Sequence, residues 1–235
     1  MCEFADQILS GNTLTIKCDG RGTLSIKGVK GTLPCFHPDG DVDTQCTVMR
    51  KAQLVILTRS VRRSERLQRL LDTLSPTCHV RILHNGFVNE TLDLPEIASL
   101  TIRTLRRCAC HCAVRPWKHG AKRVIIERCN TWSDNCPLIQ WAFNSDVEHL
   151  ELHDFERSEW RPNIGYLLWA RGNYAPRVPN KHPFYDHDRH PNLVMNIRLL
   201  KSTDGRQKRA LSQHLALLFD VKVSQVKVHD PHDER

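Results

Sequence analysis

Apolar residues flanking a single residue that a strand would turn outward recur along the middle of the chain. They are Leu54-Val55-Ile56, Val80-Arg81-Ile82, Leu100-Thr101-Ile102, Val124-Ile125-Ile126 and Leu150-Glu151-Leu152. Period-two alternation of this kind marks a strand with one buried face. The second apolar residues stand at 56, 82, 102, 126 and 152, giving intervals of 26, 20, 24 and 26 residues. Leucine-rich repeats run to roughly 20–29 residues. Three residues after three of these anchors come Asn85, Cys129 and Phe155, and the first two suit the N/C position of an L-x-L-x-x-N/C repeat. A unit of this size cannot bury its apolar face alone, so it stacks on its neighbours and puts one strand per repeat on a shared surface. The expected fold is α/β: a leucine-rich-repeat-like solenoid with a curved parallel strand face and irregular or helical returns.

Outside the triplets the pattern changes. Thr13–Lys17 and Thr23–Lys27 alternate apolar and polar residues around Asp19-Gly20-Arg21-Gly22, which predicts a β-hairpin. Residues 31–47, with two prolines and several Gly and Asp, read as a loop. Leu67, Leu70, Leu71 and Leu74 then fall at helical spacing, opposite Arg62, Arg63, Arg66 and Arg69, and the helix stops near Ser75-Pro76. A short helix is expected at Pro137–Phe143. The predicted organisation is an N-terminal strand pair and loop at 1–47, which also fits as first repeats, a repeat core at 48–160, a Pro-rich insertion at 161–192, and a C-terminal αβ cap and tail at 193–235. Within the cap, Gln207–Leu218 reads as a helix and Val221, Val223 and Val226 as an alternating strand.

Composition narrows the class. The chain has 235 residues, 40% hydrophobic, and a net charge of +8. No apolar run reaches the roughly 20 residues that span a bilayer, so a membrane protein is not expected. The first residues lack a basic n-region and an apolar h-region, which predicts an intracellular protein, cytoplasmic or nuclear. Its ten cysteines are then read as reduced, small packing residues, and Asn89-Glu90-Thr91 as an unused glycosylation pattern. Charge is segregated: seven Lys/Arg against two acids over 50–75, eight against one over 103–128, but six acids against one Arg over 141–160. Opposed fields suit selection of a charged protein partner, whereas one continuous basic stripe favours nucleic acid. A basic nucleic-acid-binding protein is the alternative reading.

Candidate chemistry is sparse. Cys108, Cys110, His111 and Cys112, with His119, Cys129 and Cys136, have zinc-ligand chemistry, but C-x-C pairs lack the matched spacing of structural zinc sites. His182, Asp186, His187, Asp188 and His190 crowd a Pro-rich stretch with no regular element to fix them. Asp39-Gly40-Asp41-Val42-Asp43 starts like a calcium loop but has Thr44 where Gly is needed and Arg50 where Glu is needed, so it reads as a polar turn. No nucleophile elbow, phosphate loop, dinucleotide fingerprint or zincin motif occurs. The expectation is no enzyme, no catalytic residue, no bound metal and no cofactor; a metal-dependent enzyme built on the Cys/His clusters is a third, weaker reading.

Pro116-Trp117-Lys118-His119-Gly120-Ala121-Lys122-Arg123-Val124-Ile125-Ile126 resembles the W-K-x-A-K-x-L-x-I segment of nematode F-box-associated domains. Ser99-Leu100-Thr101-Ile102 is similar to their S-L-T-I strand. Ile197–Arg206, followed by Leu218–Val223, is similar to their I-R-R-x-D-G segment and the strand after it. The resemblance covers about residues 99–223. It implies the substrate-receptor part of a cullin-type ubiquitin ligase, or a relative lacking the F-box, because strands rather than an F-box are expected at 1–47. A Skp-type adaptor is implied as a partner where an F-box is supplied elsewhere. The partner surface it implies is the outward strand face, here Arg81, Thr101, Arg103, Ile125, Glu127, Glu151 and His153.

Overall fold

A computed structural model of the protein describes residues 13–18, 24–28, 31–32, 41–58, 64–84, 92–105, 119–129, 147–155, 192–219, 221–231 and 233. The chain forms two compact units, Met1–Arg106 with Ala113–Ala121, and Arg107–Cys112 with Lys122–Arg235. Both are mixed α/β, and most of their strand pairs are parallel. The expected cysteine cluster at 108–112, Cys136, the Pro137–Phe143 helix and the His/Asp-rich stretch at 182–190 lie outside the described residues.

In the first unit, β1 (Thr13–Cys18) and β2 (Leu24–Gly28) make the expected antiparallel hairpin, with Ile16 opposite Ile26, and β3 (Gly31–Thr32) adds to β2. The other edge of β1 pairs in parallel with β4 (Leu54–Thr58), and β5 (His79–His84) and β6 (Ser99–Thr104) follow in chain order. The strand pair is therefore part of the sheet. Rows run through the pairing: Leu14, Val55, Val80 and Leu100 form one, and Ile16, Leu57, Ile82 and Ile102 the next. All eight are buried.

That register corrects the first triplet. Ile82 and Ile102 are buried anchors as expected, but their partner in β4 is Leu57, and Ile56 belongs to the outward row with Arg81 and Thr101. Leu54 to Leu57 is an unbroken apolar run, so alternation could not choose its register; a one-residue slip turns every side chain over.

Two helices lie in the connections. Residues expected to form a loop instead include α1 (Val42–Arg50), and the expected boundary at 47 falls inside it. Asp41 of the calcium-like stretch is its N-cap: the carboxylate accepts from the backbone N–H of Thr44 at 2.9 Å and from the Thr44 hydroxyl at 2.7 Å. A capping Asp meets donors that the first helical turn leaves unsatisfied. The second helix, α2 (Glu65–Leu71), starts at Ser64, whose Oγ accepts from Leu67 N–H at 3.1 Å, and buries Leu67, Leu70 and Leu71. Gln68 uses both ends of its amide on Asp93, donating to the carbonyl at 2.9 Å and accepting from the N–H at 3.2 Å, which ties α2 to the return after β5. There Leu92, Leu94 and Ile97 are buried and Leu94 bridges to His119.

In the second unit, β7 (Arg123–Glu127), β8 (His149–Phe155), β9 (Val194–Leu199) and β10 (Val226–His229) pair in parallel in chain order. Val124, Leu150, Met195 and Val226 form one buried row, and Ile126, Leu152 and Ile197 the next. Arg128 and Asp154, at equivalent places after Ile126 and Leu152, share a φ of 56°. Non-glycine residues enter this left-handed region seldom, so its recurrence marks a repeated strand ending. The residues that follow are Cys129 and Phe155. The Cys129 thiol donates to the Ile126 carbonyl at 3.4 Å, and Phe155 is buried.

The cap follows the expected helix and strand, with shifted bounds. The helix α3 (Gly205–Phe219) opens at Asp204, whose carboxylate accepts from Gln207 N–H at 2.7 Å. A 3-10 turn at Val223–Gln225 takes up part of the Val221–Val226 alternation, and only the last of these valines enters β10. Asp230 closes the unit by accepting from Thr203 N–H at 3.1 Å and pairing with Lys208 at 2.5 Å.

Candidate strand-face interface

The outward rows of the first unit can be read from the pairing. Leu54, His79 and Ser99 form the first, with Thr13 at its β1 end; Thr15, Ile56, Arg81 and Thr101 the second; Lys17, Thr58, Leu83 and Arg103 the third. Apart from buried Ser99, these residues are half-buried or exposed, while their inward neighbours are buried. An interior-strand side chain on an open sheet face is screened by neighbours on both sides, so partial exposure is the state expected of it. His79 Nδ1 and Ser99 Oγ lie 2.7 Å apart across the first row. Arg81, Thr101 and Arg103 thus share one face, as alternation predicts. Lys17, Ile56 and Leu83 join them, and sequence reasoning had not placed any of these three there.

The second unit presents a different surface. Arg123, His149 and Val194 make its first outward row, and Ile125, Glu151, Asn196 and Lys227 its second; Glu127 and His153 stand two residues beyond Ile125 and Glu151. The four residues expected here, Ile125, Glu127, Glu151 and His153, are all at outward strand positions. Glu151 differs from the expectation in accessibility: it is only 6% exposed. One carboxylate oxygen accepts from Arg123 Nε at 2.9 Å and Nη2 at 2.5 Å, and the other lies 3.1 Å from His153 Nε2. Burial alone would raise the Glu151 carboxyl, but hydrogen bonds and charge from Arg123 and His153 outweigh it and hold the group below its ordinary value. Glu151 is therefore an internal linchpin, enclosed by Arg123 and His153. Asn196, beside Glu151, and Lys227, beside Asn196, were not anticipated, although the Val194–Leu199 alternation carried the signal for Asn196.

Cys46, Cys78 and Cys129 are in no disulfide. Cys78 is fully buried, and desolvation pushes its thiol up to about 11. Burial of its sulfur, reinforced by the charge of Asp154, pushes the Cys129 thiol up as well. A thiol held protonated is a poor nucleophile and a poor metal ligand. The buried His119 accepts from Ala121 N–H through Nδ1 at 3.2 Å. Among the described residues, no group of three or more His, Cys, Asp or Glu side chains is placed to hold a metal ion. No helix among them is long and apolar enough to cross a membrane.

No family model, curated protein or solved structure matches the chain.

Proposed function

We propose that the chain is a non-enzymatic protein-binding domain of the cell interior, a leucine-rich-repeat-like solenoid that takes its partner on the outward strand face. The observation that carries this reading is the contrast across β1, β4, β5 and β6: inward residues are buried in every strand, and nearly all outward residues stay accessible. Parallel strands that neighbour one another in chain order, and a strand ending repeated at Arg128 and Asp154, support the repeat reading. The link to a cullin-type ubiquitin ligase, as substrate receptor or as a relative lacking the F-box, is supported by the resemblance over residues 99–223.

Affinity capture with the tagged full chain, quantified by mass spectrometry, tests this function. Proteins retained by the wild type and lost with Thr101→Arg, which fills an outward position without touching the core, support the face as the binding surface. A Skp-type adaptor among the captured proteins supports the ligase link. The cations Lys17, Arg81 and Arg103 also favour a rival, nucleic-acid binding. That rival predicts retention of oligonucleotides with an affinity falling by about 0.9 log unit per decade of salt for each phosphate contacted.

A further inference from the structure

We propose that the outward face of the second unit is a pH-gated docking surface, which takes up an extended acidic polypeptide segment as its histidines gain protons. This rests on the protein-binding reading and adds its regulation. The outward positions described on β7, β8, β9 and β10 include three histidines, His149, His153 and His229. Histidine is the side chain whose ordinary titration falls between about pH 5 and 8, so this face changes its charge where the carboxylates of a partner stay ionised.

His153 carries the argument. Glu151 is only 6% exposed, and Arg123 holds it ionised. An ionised carboxylate only accepts, so His153 Nε2–H donates across the 3.1 Å contact. That selects the neutral tautomer: Nδ1 keeps its lone pair and has no hydrogen-bond partner among the described residues. The side chain is 23% accessible. Taking up a proton turns Nδ1 from an acceptor into a donor and adds a positive charge.

The surrounding groups set the sign. Glu127 follows Ile126, the partner of Leu152, and so lies across from His153 on β7. Arg198 lies on the β9 side, where β8 carries one extra residue between Leu152 and Phe155, and Asp154 exerts its charge on Cys129. Beside His149, Glu148 is paired with Lys122 at 3.2 Å. His229 stands next to Arg198 with Asp233 in range of its charge, so it contributes least. With neutral histidines the face sets Arg123, Arg198 and Lys227 against Glu127 and Glu151; protonation makes it cationic, and the complementary partner is anionic. His149 and His153, four residues apart on one strand, span about 13 Å, as do two acids four residues apart in an extended segment. The described outward positions hold no Phe, Tyr or Trp to stack bases, and Glu127 and Glu151 oppose a continuous phosphate chain, so the spaced acids of a polypeptide fit better.

The experiment is fluorescence polarisation with the full chain and a labelled, end-blocked nine-residue peptide with glutamate at alternate positions, read at pH 8 and pH 5.5 at constant ionic strength. A glutamine peptide and a single-stranded oligonucleotide of equal charge run in parallel. Exposed charge pairs are individually weak, so the expected gain on acidification is about tenfold for the glutamate peptide. His149→Gln/His153→Gln/His229→Gln should abolish the gain, and Arg69→Glu on α2 should leave it unchanged. His153→Arg, charged at both pH values, should bind about threefold more tightly than wild type at pH 8, a gain that misfolding does not produce. A pH-independent affinity, a gain that survives in the triple variant, no tightening with His153→Arg, or tighter binding of the oligonucleotide would overturn the proposal. Peptide failure combined with protein capture that still depends on Thr101 overturns this inference alone. Peptide failure with capture indifferent to Thr101 overturns the binding-face reading too.

Discussion

Glu151 sits at an outward strand position yet is shielded, because Arg123 from the neighbouring strand and His153 from its own close over its carboxylate. Its folded-state carboxyl lies below the ordinary value of 4.5. A lowered pKa contributes stability that is present above the ordinary value and is lost as pH falls through the folded one. Glu151→Gln should therefore cost about 1 kcal/mol near neutrality, modest because Arg123 is half exposed. The gap to wild type should close in acid. Urea midpoints across pH check this, and a gap that stays constant below pH 4.5 would contradict the ion cluster. Two glycines give a second test at this scale. A Cβ on Gly120 would lie 2.6 Å from Glu96 Cα, a backbone contact that cannot rotate away, so Gly120→Ala should destabilise by about 1–3 kcal/mol. At Gly205, the first residue of α3, a Cβ meets nothing within 4 Å. Gly205→Ala should stabilise by about 0.4–1 kcal/mol. Thermal unfolding of the two variants should move in opposite directions.

At the scale of elements, the register of β4 decides which of two adjacent apolar residues supports the first unit. Leu57 is 1% exposed in the row of Ile16 and Ile82, so Leu57→Ala should cost about 2–5 kcal/mol. Ile56→Ala, on the half-buried outward side, should cost less than half as much. Chemical denaturation of both measures the difference, and equal losses would place the slip elsewhere. The same residues show what the sequence made legible. Strands at 80–82, 100–102, 124–126 and 150–152 were readable because an inward pair brackets one outward residue, and that alternation also put Arg81, Thr101 and Arg103 on one face. It was silent at Leu54–Leu57, where all four residues are apolar. It was equally silent about Lys17, whose place depends on β1 pairing with a strand about 40 residues away. The α1 helix was missed because Gly, Pro and Asp density suggested a loop; Asp41 was a cap in the sequence of a turn. Burial of Glu151 depends on Arg123, 28 residues earlier, and no local pattern reports such a contact.

For the molecule as a whole, the net charge of +8 sets solubility and non-specific attraction to anions, but its distribution gives the selective information. At the described outward positions of β1, β4, β5 and β6 the charged residues are Lys17, Arg81 and Arg103, while the second unit places Glu127 and Glu151 among Arg123 and Lys227. Helix α2 is also basic, but its Arg66 donates to buried Gln45 at 3.2 Å, so reversing Arg66 would disturb packing as well as charge. Exposed Arg69 is the cleaner control. The measurement that tests the strand-face claim most directly is therefore partner capture by three full-length proteins, wild type, Arg81→Glu/Arg103→Glu and Arg69→Glu, each checked by thermal unfolding. The account predicts that the double variant loses the partner while its stability changes by no more than about 1 kcal/mol, and that Arg69→Glu retains it. Retention by the double variant together with loss at Arg69→Glu would put the working surface on the helix and contradict the claim.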